Sequence, residues 1–239
     1  MDDLYLIGLG INVKRHLTAE AATALRRCRI VFHIDDGQRR LKRMNRNVVN
    51  LSRQYWTGEP REIVYKRLRQ RVLQEVKRGP GVAYVTYGHP LLLDSIGHGL
   101  RRTCKLLRRS VRVIPGISSL DTLSVDLGLE YGQGLQVYDA TVLVRDRHRL
   151  NRRAHTLLFQ VAGFNFYRTP DALDCVPANH YGPLVAYLAR YYPATHAITL
   201  AYCDDGGHRT IRTIQLRDLN RQRRRLYSGA TLYVPPVGS

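Results

Sequence analysis

Two tyrosines and one arginine are spaced along the chain so that they could move a proton together. Arg61 and Tyr65 lie four residues apart in a predicted helix and would share one face, and Tyr55 could fold over its first turn. A tyrosine is a base only once ionised, and a nearby arginine, which keeps its own proton, favours that form. We interpret Tyr65 as a candidate base and Tyr55 as a candidate donor to charge developing on an oxygen.

These three residues also have a simpler interpretation. A tyrosine and an arginine four residues apart usually form only a packing or cation–π contact. Chance spacing is easy in a chain with 15 tyrosines. The glycine loops that accompany the three residues favour the functional interpretation.

Three glycine turns follow predicted strands. They are Gly8-Leu9-Gly10, Tyr87-Gly88-His89-Pro90 and the segment Ile114-Pro115-Gly116-Ile117-Ser118-Ser119. A ligand can lie over the carboxyl end of such a strand and contact backbone amides that a glycine leaves accessible. The third segment also offers two hydroxyls and several unpaired N–H groups at a helix start. We expect the second and third loops to line one crevice.

The first turn matches part of the dinucleotide-binding pattern G-x-G-x-x-G. Val13 stands where the third glycine is required, and Asp35 and Asp36 lack the context of a ribose ligand. We therefore favour a tight strand–helix connection over nicotinamide binding.

The elements that must position these residues alternate in the first half of the chain. Short apolar runs predict five strands, at residues 5–10, 30–32, 47–51, 81–86 and 111–114. Thr18 is a favourable N-cap for a helix that ends near Cys28. Pro60 and Gly79 bound a longer helix, with a buried stripe of Val64, Leu68, Val72 and Val76. Pro90 is expected to begin a further helix, and another is expected after Pro115-Gly116.

The second half has a different pattern. Strands are predicted at residues 137–144, 156–161, 197–202, 210–216 and 231–234, with one clear helix at 183–191. This order predicts an α/β protein whose first domain, 1–132, has a largely parallel sheet and whose second domain, 133–239, has antiparallel pairing.

Composition excludes several classes of protein. The 239 residues are 44% hydrophobic, enough for a sizeable core, and no apolar run has the length of a membrane helix. The acidic start Met1-Asp2-Asp3 is unlike a secretory signal. Cys28, Cys104, Cys175 and Cys203 form no C-x-x-C pair, so we expect no metal site. A cytoplasmic location fits these features.

The chain carries a formal net charge of +19, from 38 basic and 19 acidic residues. Basic residues concentrate in five runs, at 39–46, 61–78, 101–112, 145–153 and 221–225. They indicate either a solvated surface or an acidic partner such as RNA or an acidic peptide, and sequence alone leaves both open.

Several motifs together resemble the tetrapyrrole-methylase superfamily. They are the strand Tyr5-Leu-Ile-Gly-Leu-Gly with HLTAEAATAL at 16–25, a strand ending in a G-x-P loop, and PGISS at 115–119. Many members have Gly-Asp-Pro in that loop, whereas this chain has Tyr87-Gly88-His89-Pro90. That loop, with the Tyr55, Arg61 and Tyr65 spacing, is similar to the borosin peptide backbone N-methyltransferases. The resemblance runs from about Leu4 to Pro236.

The resemblance implies a class III methyltransferase fold of two α/β domains with the cofactor cleft between them. It implies that S-adenosyl-L-methionine is consumed to give S-adenosyl-L-homocysteine, that Tyr55, Arg61 and Tyr65 are catalytic, and that the protein is a homodimer. The implied cofactor-binding residues are Tyr87, His89, Leu92, Ser118, Ser119, Gln160, Cys203 and Thr231. From the residues alone, His89 could instead cap its loop, and Cys203 could simply pack in the core.

The resemblance makes the expected substrate a ribosomal precursor peptide. Because the chain ends three residues after Pro236, we expect a separate peptide that is methylated in trans, with an acidic leader fitting the basic charge. Alternatives are a tetrapyrrole or RNA methylase of the same superfamily and an inactive peptide- or RNA-binding relative. Nucleic acid is a possible but disfavoured partner, and a membrane is not expected.

Overall fold

The computed structural model of the chain describes residues 1–34, 37–169, 180–202, 211–222, 226 and 229–238. These residues form two compact units. The first contains Met1–Thr122 with Arg168 and Thr169, and the second contains Leu123–Tyr167 with the described residues from 180 onward. Each unit holds one five-stranded sheet with helices, which confirms the α/β class.

The sheet of the first unit is entirely parallel. Its strands are β1 (Leu4–Gly8), β2 (Ile30–His33), β3 (Val48–Asn50), β4 (Val82–Thr86) and β5 (Val111–Ile114). They are ordered β3-β2-β4-β1-β5. The central strands are buried on both faces, as in β1, where Leu6 and Ile7 are both inaccessible. Their near-continuous apolar runs follow from this two-sided burial. All five strands predicted for this half of the chain are confirmed.

Helices α1 to α7 accompany this sheet. They are α1 (Val13–His16), α2 (Ala19–Arg27), α3 (Gln38–Met44), α4 (Ser52–Tyr55), α5 (Arg61–Arg78), α6 (Ser95–Leu106) and α7 (Ser119–Leu127). The Thr18 hydroxyl accepts the N–H of Ala21 and caps α2 as predicted. The apolar stripe of α5 is fully buried, and Pro60 and Gly79 flank this helix as expected.

Helix α6 starts later than the sequence indicated. It begins at Ser95, not at Pro90. The reason is Asp94, whose Oδ1 accepts the N–H groups of Ile96 at 3.0 Å and Gly97 at 2.9 Å and so fixes the first turn. The residues between Gly88 and Asp94 are thereby left to form a loop beyond β4.

The second sheet is mixed. Its strands are β6 (Leu135–Asp139), β7 (His155–Phe159), β8 (Ala197–Tyr202), β9 (Ile211–Gln215) and β10 (Ala230–Val234), ordered β6-β7-β10-β8-β9. β6 and β7 are parallel, and the other three pairings are antiparallel as predicted. The helices here are α8 (Ala140–Arg145) and α9 (Gly182–Leu188).

The strand predicted at 137–144 is wrong beyond Asp139. The carboxylate of Asp139 accepts the N–H groups of Thr141 at 2.8 Å and Val142 at 3.0 Å, so it caps α8. The apolar, β-branched run 140–144 favours a strand by composition, but the cap and burial in the second core make it a helix.

Glu75 is a buried carboxylate on α5 that we expect to stabilise the first unit. It accepts hydrogen bonds from Arg29 at 3.0 Å, Arg78 at 2.6 Å and Arg71 at 3.3 Å, and the Arg29 bond is the main reason its pKa is lowered. Glu75→Gln should lower the free energy of unfolding in urea by about 1–3 kcal/mol at pH 7. Because the pKa of Glu75 in the folded protein is below the ordinary value of 4.5, its ionised form stabilises the fold at pH values above 4.5. This stabilisation is lost as the pH falls through the lowered pKa.

The difference between Glu75→Gln and wild type should therefore shrink as the pH falls below about 4. The control is Glu62→Gln, since Glu62 is an exposed carboxylate on the same helix. An equal loss of stability in both variants would contradict a special role for Glu75.

No helix in the described part of the chain is both long enough and apolar enough to cross a membrane.

Candidate active site

Three glycines meet at the carboxyl edge of the parallel sheet, where β4, β1 and β5 are neighbours. Gly8 ends β1, and Gly88 and Gly116 follow β4 and β5. A Cβ atom on Gly8 would lie 2.5 Å from the Gly88 oxygen and 2.6 Å from the Gly116 nitrogen. A Cβ on Gly116 would lie 2.5 Å from the same Gly88 oxygen. The three loops therefore pack backbone against backbone, and no side chain fits between them.

The first turn is joined to the second loop. Gly10 N–H donates to the Gly88 oxygen at 3.2 Å and Gly88 N–H donates to the Gly10 oxygen at 3.1 Å. Helix α1, which follows, has only four residues, and Asn12 Oδ1 already accepts the N–H groups of Lys14 and Arg15. No free helix start is available for a pyrophosphate, which supports the tight connection over the dinucleotide site.

His89 closes the loop after β4. Its Nδ1 accepts the N–H of Leu91 at 3.1 Å, and its carbonyl accepts the N–H of Leu92 at 3.0 Å. The loop-capping role considered from the sequence is thus present. Tyr87 is exposed at 42%, whereas Leu92 is half-buried. The three predicted residues of this loop lie together at the edge of the sheet.

Ser118 and Asp121 form a capping box at the start of α7. Ser118 donates to Asp121 Oδ2 through its N–H at 2.6 Å and its hydroxyl at 2.7 Å. The N–H of Ser118 is therefore paired, which corrects the expectation that it is unpaired. Asp121 was missed in the sequence, although Ser-x-x-Asp is the pattern of a capping box. Ser119, the other predicted hydroxyl, is the first residue of α7 and is half-buried.

Asp121 also links the second and third loops electrostatically. Burial raises its pKa, but the two hydrogen bonds from Ser118 outweigh burial, and the charge of His89 lowers the pKa further. The net result is a pKa below the ordinary value, so the carboxylate is ionised at neutral pH. An ionised Asp121 holds Ser118 in place through these hydrogen bonds.

The remaining predicted cofactor residues fall in or near the second unit. Thr231 is buried in β10, paired with Ala201 of β8. Gln160 was expected inside an apolar strand, but it is exposed and follows the end of β7. Its φ of 58° turns the chain out of the strand, so its side chain leaves the alternation of β7. Cys203 lies outside the described residues.

The tyrosine–arginine triad is assembled in the first unit. Tyr55 ends α4, and its ring is stacked on that of Tyr65 in α5, with centroids 6.1 Å apart and planes 14° from parallel. Both rings are half-buried against the core of this unit. The predicted fold of Tyr55 over the start of α5 is therefore confirmed.

Arg61 is held by a distant part of the chain. Its Nε donates to the carbonyl of Arg168 at 3.1 Å. The neighbouring Glu59 carbonyl accepts the N–H of Thr169 at 2.9 Å, and Arg168 donates to the Gly58 carbonyl at 2.6 Å. The short segment before α5 is thus anchored on residues 168–169, which fixes the entry of this helix.

Arg61 and Tyr65 line a groove of about 1280 Å³ between α5 and α6, which we call the basic groove. Its cationic side chains are Arg61, Lys66, Arg69, Arg101, Arg102, Lys105 and Arg109. Glu62 is the acidic residue among the described residues that line it.

His98 connects the basic groove to the loop after β4. It lines the groove from α6, and its Nε2 lies 3.0 Å from the Leu91 carbonyl oxygen. Leu91 in turn donates its N–H to His89. His98 therefore lines the same groove as Arg61 and Tyr65 and also contacts the loop after β4.

Comparison with known proteins assigns the chain to a family. Residues 3–202 match the model of the tetrapyrrole (corrin/porphyrin) methylases, which is most of the chain. This chain belongs to the tetrapyrrole methylase family. The assignment confirms the resemblance seen in the glycine motifs and supports a methyltransferase.

Similar curated proteins are fungal. A methyltransferase and ribosomally synthesized cyclic peptide omphalotin A precursor from Omphalotus olearius is 30% identical over 205 residues, covering 82% of this chain and 47% of the relative. The dendrothelin A counterpart from Dendrothele bispora is 27% identical over 98% of this chain and 57% of its own length. A type III borosin cyclic peptide precursor from Anomoporia bombycina is 28% identical over 98% of this chain. This chain spans about half the length of the first two relatives.

Solved structures confirm the fold. Uroporphyrin-III-C-methyltransferase from Thermus thermophilus superimposes with a TM-score of 0.67 at 21% identity, over 98% of this chain and 92% of that one. Cobalt precorrin-4 methyltransferase gives the same TM-score at 13% identity, over 97% and 94%. At this identity the likeness concerns the fold alone.

Proposed function

We propose that this member of the tetrapyrrole methylase family uses S-adenosylmethionine to methylate backbone amide nitrogens of a ribosomally made peptide. The observation that carries the proposal is that Tyr65, whose ring is stacked on Tyr55, lines one groove with Arg61, and that His98 of this groove contacts the loop after β4. The relatives support it, because several are named as a methyltransferase joined to a cyclic peptide precursor.

The glycine loops fit the proposed cofactor. The close backbone packing of Gly8, Gly88 and Gly116 holds the ends of β1, β4 and β5 together, so the second and third loops are neighbours. The exposed Tyr87, the half-buried Leu92 and the Ser119 hydroxyl stand beside this backbone on the second and third loops. We propose these groups, together with His89 and Ser118, as cofactor contacts of the first unit.

Gln160, Cys203 and Thr231 remain proposed contacts from the second half of the chain. When bound, S-adenosylmethionine supplies a methyl group on positively charged sulfur and becomes S-adenosylhomocysteine. The work left to the protein is to prepare the nitrogen that accepts this methyl group.

A peptide amide is a poor nucleophile, because the nitrogen lone pair is delocalised into the carbonyl group. We assign Tyr65 to take the amide proton, with its phenolate oxygen as the base. Arg61 stabilises the negative charge of that base, since a guanidinium stays protonated at neutral pH. Tyr55 donates a hydrogen bond to the amide oxygen, where negative charge develops as the proton leaves. Stacking of the two rings fixes the separation of base and donor.

A labelled-methyl assay tests the proposal. The purified chain is incubated with S-adenosylmethionine carrying a labelled methyl group and with a synthetic apolar peptide. The intact masses of the chain and of the peptide are then measured by mass spectrometry. Label on the peptide supports methylation of a peptide that is a separate molecule from the enzyme. Label on neither component, with cofactor binding shown by calorimetry, would contradict the proposal. Label on the chain itself would replace the separate substrate with one carried in cis.

The Ser118–Asp121 capping box gives a prediction about cofactor affinity. Asp121→Asn keeps the size of the side chain but replaces charge-assisted hydrogen bonds by weaker ones. We expect the Kd for S-adenosylmethionine to rise about three- to tenfold by calorimetry, since 1.4 kcal/mol corresponds to a factor of ten. Asp126→Asn, on the same helix, is the control. Equal affinity in wild type and Asp121→Asn would remove the third loop from the cofactor site.

The cytoplasmic location and the homodimer stay predictions from sequence.

A further inference from the structure

We infer that the basic groove binds an acidic segment of the peptide substrate, outside the residues that are methylated. The inference rests on the proposed function and extends it, because it locates where substrate selection takes place. The groove brings together two of the basic runs seen in the sequence, those at 61–78 and 101–112.

The charge of the groove is not neutralised within the described part of the chain. Of its seven cationic side chains, only Arg109 has a carboxylate within 4 Å among the described residues, and that partner is Asp3 at 3.2 Å. Arg101, Arg102 and Lys105 are exposed along the α6 side. Like charges held in one concave surface repel each other and attract an anionic ligand, whose on-rate they also raise.

Each of the two helices that form the groove lines it with a regularly spaced row of side chains. Arg61, Tyr65 and Arg69 recur every four residues on α5, and His98, Arg102 and Lys105 recur at three- and four-residue intervals on α6. Both helices lead to the next strand of a parallel sheet, so they run in the same direction. Ser95 and Lys105 are ten residue steps apart, which is about 15 Å of helix at 1.5 Å per residue. An extended peptide covers that length with about four or five residues.

The position of Arg69 in the groove is fixed before a ligand binds. Gly99 lies on α6 where a Cβ atom would be 2.4 Å from the Cδ of Arg69. The absence of a side chain lets Arg69, including its guanidinium, lie close against α6, where it lines the groove. Less side-chain entropy is then lost when an acidic segment binds.

The geometry points to a peptide in preference to RNA. Single-stranded nucleic acid is held by basic residues together with aromatic platforms that stack successive bases. Among the described residues that line this groove, Tyr65 is the one tyrosine, tryptophan or phenylalanine, and its ring is already stacked on Tyr55. A polypeptide in the groove also brings its backbone amides to Arg61 and Tyr65.

The test compares two fluorescent peptides that share one apolar acceptor sequence, with four glutamates or four glutamines added at one end. Binding is measured by anisotropy with the cofactor product S-adenosylhomocysteine present. Wild type should bind the glutamate peptide about tenfold more tightly at 50 mM salt, and the preference should fall below about threefold at 300 mM salt. The variant Arg101→Ala/Arg102→Ala/Lys105→Ala should lose the preference.

The control variant is Arg149→Ala/Arg152→Ala/Arg153→Ala, which removes the same charge from exposed positions of the second unit and should keep the preference. Thermal melts confirm that each variant is folded. Equal binding of both peptides to wild type, or loss of preference in both variants, overturns the groove assignment. Tighter binding of a single-stranded RNA oligomer that displaces the glutamate peptide also overturns it.

The assay separates this inference from the proposed function. Selective binding of the glutamate peptide without any methyl transfer would support the groove and contradict the reaction. Methylation of both peptides at equal affinity would support the reaction and contradict the groove.

Discussion

Tyr65→Phe is expected to lower kcat for methyl transfer by at least about 100-fold, the lower end of what a general base contributes. The cofactor Kd should change less than about twofold, because the substitution removes one oxygen atom in the α5 wall of the groove. Phenylalanine keeps the ring that stacks on Tyr55 at 6.1 Å, so the fold of α4 against α5 should survive. Turnover is measured by labelled-methyl incorporation and affinity by calorimetry.

Substitutions of Arg61 test, in the same experiment, how much of the activity depends on a positive charge and not on the proton acceptor. Arg61→Lys keeps a positive charge but loses the Nε donation to the Arg168 carbonyl at 3.1 Å. We expect Arg61→Ala to abolish methyl transfer and Arg61→Lys to give a turnover between those of Arg61→Ala and wild type. The control is Tyr167→Phe, which removes a hydroxyl from an exposed ring. Wild-type turnover in Tyr65→Phe would show that another group takes the amide proton.

Gly116→Ala is expected to remove most cofactor binding, with a rise in Kd of more than about tenfold, equivalent to 1.4 kcal/mol. The added Cβ would lie 2.5 Å from the Gly88 oxygen and 2.7 Å from the Gly8 carbonyl carbon, and both are backbone atoms that cannot rotate away. Relief requires the loops to separate, which should also lower stability by about 1–3 kcal/mol, as overpacking does. Calorimetry and urea unfolding measure the two effects.

The matched control is Gly37→Ala. Its Cβ would meet only side-chain carbons at 3.7 Å or more, so neither affinity nor stability should change much. Native stability together with undiminished cofactor affinity in Gly116→Ala would show that the strand ends are not the cofactor site.

The fold was largely predictable because buried strands and helices have characteristic local patterns of apolar residues. The central strands of the first sheet are apolar on both faces, and the α5 stripe repeats every four residues. Two boundaries were missed for one reason. Asp94 and Asp139 each cap a helix, and a single capping carboxylate outweighed the proline and the β-branched run that suggested other boundaries.

The site was predictable only where its parts are local in sequence. The i, i+4 spacing of Arg61 and Tyr65 put both on one side of α5, and both line the same groove. The bond from Arg61 to residue 168 spans 107 positions and leaves no local pattern. The facing of two basic runs across α5 and α6 depends on tertiary packing in the same way. Gln160 was misjudged because a single left-handed residue takes its side chain out of the strand.

The most direct test of the central claim is to locate the methyl group on the acceptor. A peptide treated with the enzyme and S-adenosylmethionine is fragmented by tandem mass spectrometry and examined by two-dimensional NMR. We predict a gain of one methyl mass on backbone fragments, an N-methyl resonance, and loss of the amide N–H signal at the same residue. A methyl group on a side chain, or transfer only to RNA or a tetrapyrrole, would contradict backbone amide methylation.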